Sequence, residues 1–222
     1  MTTDEKPKPK RNAPWILWAL PGLLILALTA NHLFAFQVFR QPSGSMQPTL
    51  TPGEYFAVSK WSYGYVQRSF KPFSAFVPEG HWFAHLPERG DIAVFEPVPE
   101  PGRYFVKRVI GLPGDRIQMI DGVLHINGDA VPREEVAAIE VADRYGGVET
   151  LPAFRETLPN GVSYTVLERG DTELDNTPVY TVPDGHVFMM GDDRDNSADS
   201  RVLSMVGYVP LDHVIGPVAH VF

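Results

Sequence analysis

An apolar stretch near the amino end limits the folds open to this chain more than any other feature of its sequence. Residues 14–30, PWILWALPGLLILALTA, contain no charged side chain, and the apolar character resumes after Asn31 and His32 and continues to Phe36. A helix over residues 14–36 is long enough to cross a hydrocarbon core about 30 Å thick. The sequence therefore predicts one amino-terminal transmembrane helix over residues 14–36.

Two other interpretations of this stretch remain open, a cleaved secretory signal and a buried helix of a soluble protein. A cleavage site needs small residues at its last and third-last positions. A cut after Ala30 would place Leu28 third from the end, and a cut after Ala27 would place Ile25 there. A soluble helix usually keeps one polar face, and this stretch has none. An uncleaved anchor is therefore the favoured interpretation.

The charges on either side of the stretch predict its orientation. Residues 1–13 contain interleaved prolines and four basic side chains, as is typical of a solvated tail. Just after the stretch the one basic residue is Arg40. Basic residues flanking a span stay on the cytoplasmic side. The sequence thus predicts a single-pass protein of the inner (cytoplasmic) membrane, in contact with the lipid bilayer, with a cytoplasmic amino terminus and the remaining chain on the outer (periplasmic) face.

Charge and composition argue against several classes of function. The net charge of −8 argues against a nucleic-acid partner, because phosphate binding needs a concentrated excess of Lys and Arg. The chain has no cysteine, so disulfides, thiolate zinc sites and a cysteine nucleophile are excluded. Its seven histidines include no HExxH pair of the zinc proteases. No cofactor and no metal are predicted.

Beyond residue 37 the chain is predicted to be mainly β. It contains 21 proline and 19 glycine residues, and short apolar or alternating runs lie between the turn signals. The runs are residues 55–58, 92–95, 105–110, 116–120, 123–126, 163–167, 179–182 and 187–190. Three dipeptides are typical of hairpin turns, Asp121-Gly122, Asn127-Gly128 and Asn160-Gly161. Only residues 134–141 favour a helix.

The segment PSGSMQ, residues 42–47, contains a candidate nucleophile. Ser45 lies between Pro42 and Pro48, which restrict the loop, and the neighbouring Gly44 permits close approach of a substrate. The segment is not the G-x-S-x-G elbow of the α/β hydrolases, because the second glycine is missing. A serine needs a base to act as a nucleophile. The alternative is a capping or turn serine.

Lys107 is the candidate base. It lies in the run YFVKRVIG, residues 104–111, and in an extended strand its side chain points away from that of Arg108. An ordinary lysine has a pKa of about 10.4, too high for the amine to be neutral at neutral pH, but burial lowers the pKa by several units. A neutral amine is able to accept the serine proton. The alternative is a strand-edge lysine with its ammonium group in water.

These two segments, together with GDDRDNSADSR at residues 191–201, resemble the signature segments of the type I signal peptidases. That family consists of membrane-bound serine endopeptidases with a Ser/Lys dyad that remove signal peptides from exported preproteins. The resemblance extends over residues 39–210. It implies an antiparallel β catalytic core, residues 37–115 and 186–222, with a smaller β cap inserted at residues 116–185. It also implies that signal-peptide-bearing preproteins are the partners.

The resemblance assigns roles in catalysis to residues of the first two segments. It implies that Ser45 is the nucleophile and Lys107 its base. It further implies that the Ser43 hydroxyl and the Ser45 backbone amide form the oxyanion hole, which stabilises the negative charge of the transition state.

The third segment is implied to support the dyad. By resemblance Ser197 hydrogen-bonds and orients the lysine, and Asp199 forms an ion pair with Arg201, near Arg108. Gly191 opens the segment. A calcium loop is the alternative, but the acidic residues lack the alternation and terminal glutamate of an EF-hand.

Shallow apolar pockets are also implied by the resemblance. They accept small residues at the last and third-last positions of the signal, and their lining is predicted to be Phe39, Met46, Leu50, Phe105 and Val106. The chain departs from the family pattern at Gln41, where many members have an apolar residue, and at residues 202–206, which lengthen the stretch after Arg201.

Several other functions remain open. The signal peptidase interpretation applies equally to an enzyme that serves only one secretion or conjugation system. A self-cleaving Ser/Lys repressor shares the β core and the dyad but needs a DNA-binding module where this chain has its apolar stretch. A Ser/His/Asp triad with His186 would leave Lys107 unexplained, and in a non-catalytic anchored β domain Ser45 or Lys107 would be dispensable. The aromatic stretch at residues 61–86 either rests on the bilayer or joins the core.

Overall fold

The computed structural model describes residues 15–66, 81–82, 85–142 and 147–222. Helix α1 extends over Trp15–Phe34, and its side chains from residue 18 to residue 29 are exposed. The predicted helix is thus confirmed. Within the described ranges, however, no helix has the length and apolarity that crossing a membrane requires. The predicted tail, residues 1–13, and most of the aromatic stretch at 61–86 lie outside the described residues.

The described residues form sixteen strands. They are β1 (Phe36–Arg40), β2 (Tyr55–Ser59), β3 (Tyr65–Val66), β4 (His81–Trp82), β5 (Ile92–Phe95), β6 (Phe105–Gly111), β7 (Arg116–Ile120), β8 (Val123–Ile126), β9 (Asp129–Ala130), β10 (Arg133–Ala142), β11 (Val148–Thr157), β12 (Ser163–Leu167), β13 (Tyr180–Thr181), β14 (His186–Met190), β15 (Val209–Pro210) and β16 (Val214–Val221). Each of the eight predicted runs overlaps one of these strands.

The strands form antiparallel sheets. The largest has the order β1-β2-β16-β5-β6-β14-β15, and the smaller ones are β10-β11-β12, β13-β7-β8-β9 and β3-β4. Both predicted turns of the β7-β8-β9 meander are present, and Asp121 and Asn127 adopt positive φ angles of 46° and 59° there. A mainly β, antiparallel fold is therefore confirmed.

The helix predicted at residues 134–141 is wrong, because this segment belongs to β10. Val136 lies opposite Ala153 and Ile139 lies opposite Leu151, so β10 has one residue more than β11 in this interval. Such a bulge shifts the alternation of a strand by one residue. Val136, Ile139 and Val141 consequently pack in one apolar cluster with the three-residue spacing that resembles a helix.

One apolar cluster contains residues from both the predicted catalytic core and the predicted cap. Ile110 and Phe188, from the seven-stranded sheet, pack in one buried cluster with Leu124 and Val166, from the two smaller sheets. The division at residues 116 and 185 into two domains therefore stays a prediction.

The seven-stranded sheet brings the three signature segments together. The connection between β1 and β2 contains Ser45, and Lys107 in β6 lies opposite Ala93 in β5. On the other side of β6, Arg108 pairs with Met190 in β14, and Gly191 follows directly. The strand β16 lies between β2 and β5 and hydrogen-bonds to both.

Candidate active site

Lys107 is buried and points at Ser45. Its side chain is on a strand whose residues are almost all buried, and the residue is 4% exposed. The Nζ atom donates hydrogen bonds to Ser45 Oγ at 2.7 Å and to the carbonyl oxygen of Val106 at 3.0 Å. The Phe105 ring centre lies 5.6 Å from Nζ. The amine thus has a fixed position in largely apolar surroundings.

Burial also changes the protonation of this amine. It lowers the pKa of Lys107 to about 8, although the negative charges of Asp199 and Asp192 act in the opposite direction. Desolvation disfavours the charged ammonium form, which is the cause of the decrease. An amine with this pKa is neutral in an appreciable fraction of molecules near neutral pH, as a general base must be.

Ser45 has the surroundings of a nucleophile. It is 5% exposed, and its Oγ lies 3.2 Å from Ser43 Oγ as well as beside Lys107. In the part of the chain that the structure describes, the Ser45 N–H donates no hydrogen bond. Its carbonyl oxygen accepts one from the Asp193 N–H at 3.2 Å. The backbone is thus held through the carbonyl while the N–H stays available.

The third signature segment, residues 191–201, packs directly on the serine loop, which is the connection between β1 and β2 that contains Ser45. A Cβ atom at Gly191 would lie 2.5 Å from the Ser45 carbonyl oxygen and would collide with Ser197 Oγ. Only glycine fits in this space. The close approach places the following residue pair, Asp192 and Asp193, beside the dyad.

An ion pair stabilises the far end of this segment, as predicted. Arg201 Nε lies 2.9 Å from Asp199 Oδ1, and both side chains are fully buried. The Gly191 N–H donates to the second carboxylate oxygen at 3.0 Å. Burial alone would raise the pKa of Asp199, but the charge and hydrogen bonds of Arg201, with the Gly191 N–H, hold it below its usual range. Asp199 is therefore ionised and keeps the segment closed.

Arg108, predicted to lie near the Asp199–Arg201 pair, forms an ion pair with another residue of the third segment. Its guanidinium pairs with Asp192, at 2.8 Å from Nε and 2.6 Å from Nη2, and it stacks 4.2 Å from the Tyr164 ring centre. Asp192 also accepts a hydrogen bond from Thr49, in the serine loop. Arg108 and Asp192 thus connect the lysine strand, the serine loop and the third segment.

Comparison with known proteins identifies the family of this chain. The family model described as "Signal peptidase, peptidase S26" matches residues 13–222. The chain belongs to this signal peptidase family. Two proteins named "Signal peptidase I" are similar to the chain: that of Rickettsia akari is 38% identical over 223 residues, which cover 96% of this chain and 81% of the relative. That of Rickettsia typhi is 40% identical over 203 residues, which cover 87% of this chain and 74% of the relative.

A crystal structure of a signal peptidase I from Enterococcus faecalis V583 also matches. It is 27% identical, covers 61% of this chain and 98% of that chain, and has a TM-score of 0.36. From the family model and the sequence relatives, the predicted enzyme class is confirmed, since S26 peptidases hydrolyse peptide bonds.

One predicted contact is absent from this S26 peptidase. Among the described residues no hydrogen bond joins Ser197 to Lys107, because the amine donates instead to Ser45 and to the carbonyl of its own neighbour, Val106. The alternative base His186 is not a partner of Ser45 either, and its Nδ1 contacts the Asp184 carbonyl at 2.8 Å.

A buried network that the sequence did not predict connects the interposed region to the site. Arg194 makes two hydrogen bonds to Glu156 of β11, at 2.9 and 2.6 Å, and both side chains are 1% exposed. The Tyr164 hydroxyl donates to the same carboxylate at 2.7 Å. Arg194 Nε donates to the Gly191 carbonyl at 3.1 Å. The one signal in the sequence is an arginine within an acidic run, and nothing there identifies Glu156.

A pocket of about 520 Å³ opens beside the dyad of the peptidase. It is lined by Phe39, Arg40, Gln41, Pro42, Ser43, Ser45, Phe56, Val94, Arg103, Tyr104, Phe105, Val106, Lys107, Asn196 and Ala198. Phe39, Phe105 and Val106 are thus where they were predicted. Met46 and Leu50 are not: both are fully buried in the apolar cluster behind the pocket, because the serine loop turns their side chains into the core.

Proposed function

We propose that this peptidase removes amino-terminal signal peptides from exported preproteins, with Ser45 as nucleophile and Lys107 as general base. The observation that carries the proposal is the 2.7 Å contact between two buried groups, Lys107 Nζ and Ser45 Oγ, in a family of peptidases. The substrate class is supported by the relatives that bear the name signal peptidase I.

The geometry supports a two-step acyl transfer. The neutral Lys107 amine takes the proton of Ser45 as Oγ attacks the carbonyl carbon of the scissile bond. The ammonium so formed gives this proton to the leaving amine, and the acyl group stays on Oγ. Water then attacks the ester, with Lys107 again as base, and the proton returns to Ser45. We expect the Ser45 N–H and the Ser43 hydroxyl to donate hydrogen bonds to the oxyanion.

The activity of the peptidase should rise with pH through the pKa of Lys107, which burial lowers to about 8. Only the neutral amine accepts the serine proton, so below this value kcat/KM should fall about tenfold for each pH unit. The measurement is kcat/KM on a precursor peptide from mildly acidic to mildly alkaline pH. A rising limb near the histidine pKa of about 6.5 would contradict the assignment of Lys107 as base.

Membrane attachment through α1 is part of the same proposal. Seven large apolar side chains of the helix are exposed, Trp18, Leu20, Leu23, Leu24, Ile25, Leu26 and Leu28. Contiguous apolar surface of this kind is typical of contact with lipid or with another protein. The basic residues of the tail favour a cytoplasmic amino terminus and a catalytic domain on the outer face.

One experiment tests both parts of the proposal. Membranes containing the peptidase are washed with alkaline sodium carbonate and incubated with an exported precursor, and the new amino terminus of the product is sequenced. We expect activity in the washed membranes and a single cut after the signal, and no cut with Ser45→Ala. Cleavage of mature regions would contradict the substrate class. Full release into the wash would contradict the attachment.

A further inference from the structure

Gln41 is a buried polar residue that lines the pocket beside Ser45 and Lys107. It directly follows β1, and its backbone continues the pairing with the start of β2: its N–H donates to the Glu54 carbonyl, and its carbonyl accepts from the Gly53 N–H, both at 2.8 Å. In an extended chain, residues two apart share a face, so Gln41 lies on the same face as Phe39. Both residues line the pocket that contains Ser45 and Lys107.

The amide of Gln41 lacks a partner among the residues that the structure describes. The residue is 1% exposed, and neither its Nε2 nor its Oε1 atom has a hydrogen-bond partner. Buried polar side chains are nearly always hydrogen-bonded, and an unpaired amide destabilises the folded state. The other buried or half-buried side chains of the pocket are mostly apolar, among them Phe39, Phe56, Val94, Phe105 and Val106.

We propose that Gln41 is a specificity-determining residue whose amide hydrogen-bonds a hydroxyl or carboxamide side chain of the peptide bound in the pocket. This inference rests on the proposed cleavage of precursors and deepens it. An amide both donates and accepts, so it pairs with serine, threonine or asparagine, whereas alanine or valine leaves it unpaired. Sites that hydrogen-bond a polar group of the substrate discriminate well against analogues that lack the group. The preferred substrates therefore carry a small polar residue in this pocket.

The test compares three precursor peptides that differ at single positions. One has alanine at both the last and the third-last position before the scissile bond, and the other two have serine at one of these positions. The selectivity is the kcat/KM on a serine peptide divided by that on the alanine peptide. Gln41→Met keeps the length of the side chain and removes the amide. It should lower the selectivity roughly fivefold or more at one of the two positions.

Gln47→Met is the matched control. Gln47 is also buried and its Oε1 atom is also unpaired, but it lines a second pocket that includes neither Ser45 nor Lys107. This variant should leave both selectivities unchanged. If Gln41→Met still cleaves the alanine peptide, the variant is folded. If it does not, the Gln41→Leu variant is tested in its place.

The possible outcomes are distinct. Unchanged selectivity at both positions in the Gln41 variant, or an equal loss on all three peptides, would overturn the role of Gln41 in selecting a side chain. An equal change of selectivity in the Gln47 control would overturn it too. If the unaltered enzyme cuts none of the peptides, the proposed function fails, whatever the variants do.

Discussion

Replacing Lys107 with methionine is expected to lower kcat for precursor cleavage by at least about 10³-fold, the upper part of the range for a general base. Methionine keeps an unbranched side chain of similar length in the buried strand but removes the group that lies 2.7 Å from Ser45 Oγ. Lys107→Arg should be equally inactive, because a guanidinium stays protonated at any usable pH. The measurement is single-turnover cleavage at a pH above the pKa of the lysine.

Lys60 provides the matched control for this variant. Like Lys107 it is 4% exposed, and burial lowers its pKa as well. Lys60→Met therefore makes the same chemical change at a second buried lysine, and its folded fraction should keep the activity of the unaltered enzyme. Ser45→Ala combined with Lys107→Met should be scarcely worse than either alone, since the two act as one unit. A loss within about tenfold for Lys107→Met, about 1.4 kcal/mol, would refute the base role.

The second large effect concerns stability. Glu156→Gln should lower the free energy of unfolding by about 3–5 kcal/mol, because it leaves the guanidinium of Arg194 buried without its counter-charge. Burial of both groups is nearly complete, so solvent does not screen the loss. Urea unfolding followed by tryptophan fluorescence measures the change.

An exposed ion pair serves as the comparison. Glu100 pairs with Arg103, whose side chain is 72% exposed, and Glu100→Gln should change the unfolding free energy by less than about 1 kcal/mol. Equal effects of Glu100→Gln and Glu156→Gln would show that the buried pair contributes no more than a surface pair.

The contact between Ser45 and Lys107 is predictable from the sequence because each residue stands in a short local pattern. Ser45 lies in a loop restricted by prolines, and Lys107 lies in an apolar strand that buries it. The family resemblance implied the ion pair of Asp199 with Arg201, a residue only two positions away.

The distribution of the other ion pairs is not predictable in this way. Asp192 and Asp193 are neighbours of identical type, yet Asp192 pairs with Arg108 and Asp193 with Arg169. Which carboxylate lies beside which arginine depends on contacts that exist only in the folded chain. Glu156 has no local feature that separates it from surface acids, and its burial depends on β11 packing against the third signature segment.

The spacing of apolar residues in the sequence gives wrong predictions where the backbone departs from regular geometry. In β10 a bulge produces the three-residue spacing of a helix in an extended chain. Beside the nucleophile, Met46 is adjacent to Ser45 in sequence, but the turn of the loop sends the two side chains to opposite places, one to the pocket wall and the other to the core.

The position of β16 gives a strand outside the pocket a part in aligning the site. Val214–Val221 hydrogen-bonds to β2 on one side and to β5 on the other. It therefore links the strand that follows the Ser45 loop to the strand that pairs with β6, which contains Lys107. A chain that lacks residues 214–221 would keep Ser45 and Lys107 but lose the strand between their two hairpins, so we expect it to lose the alignment of the two side chains.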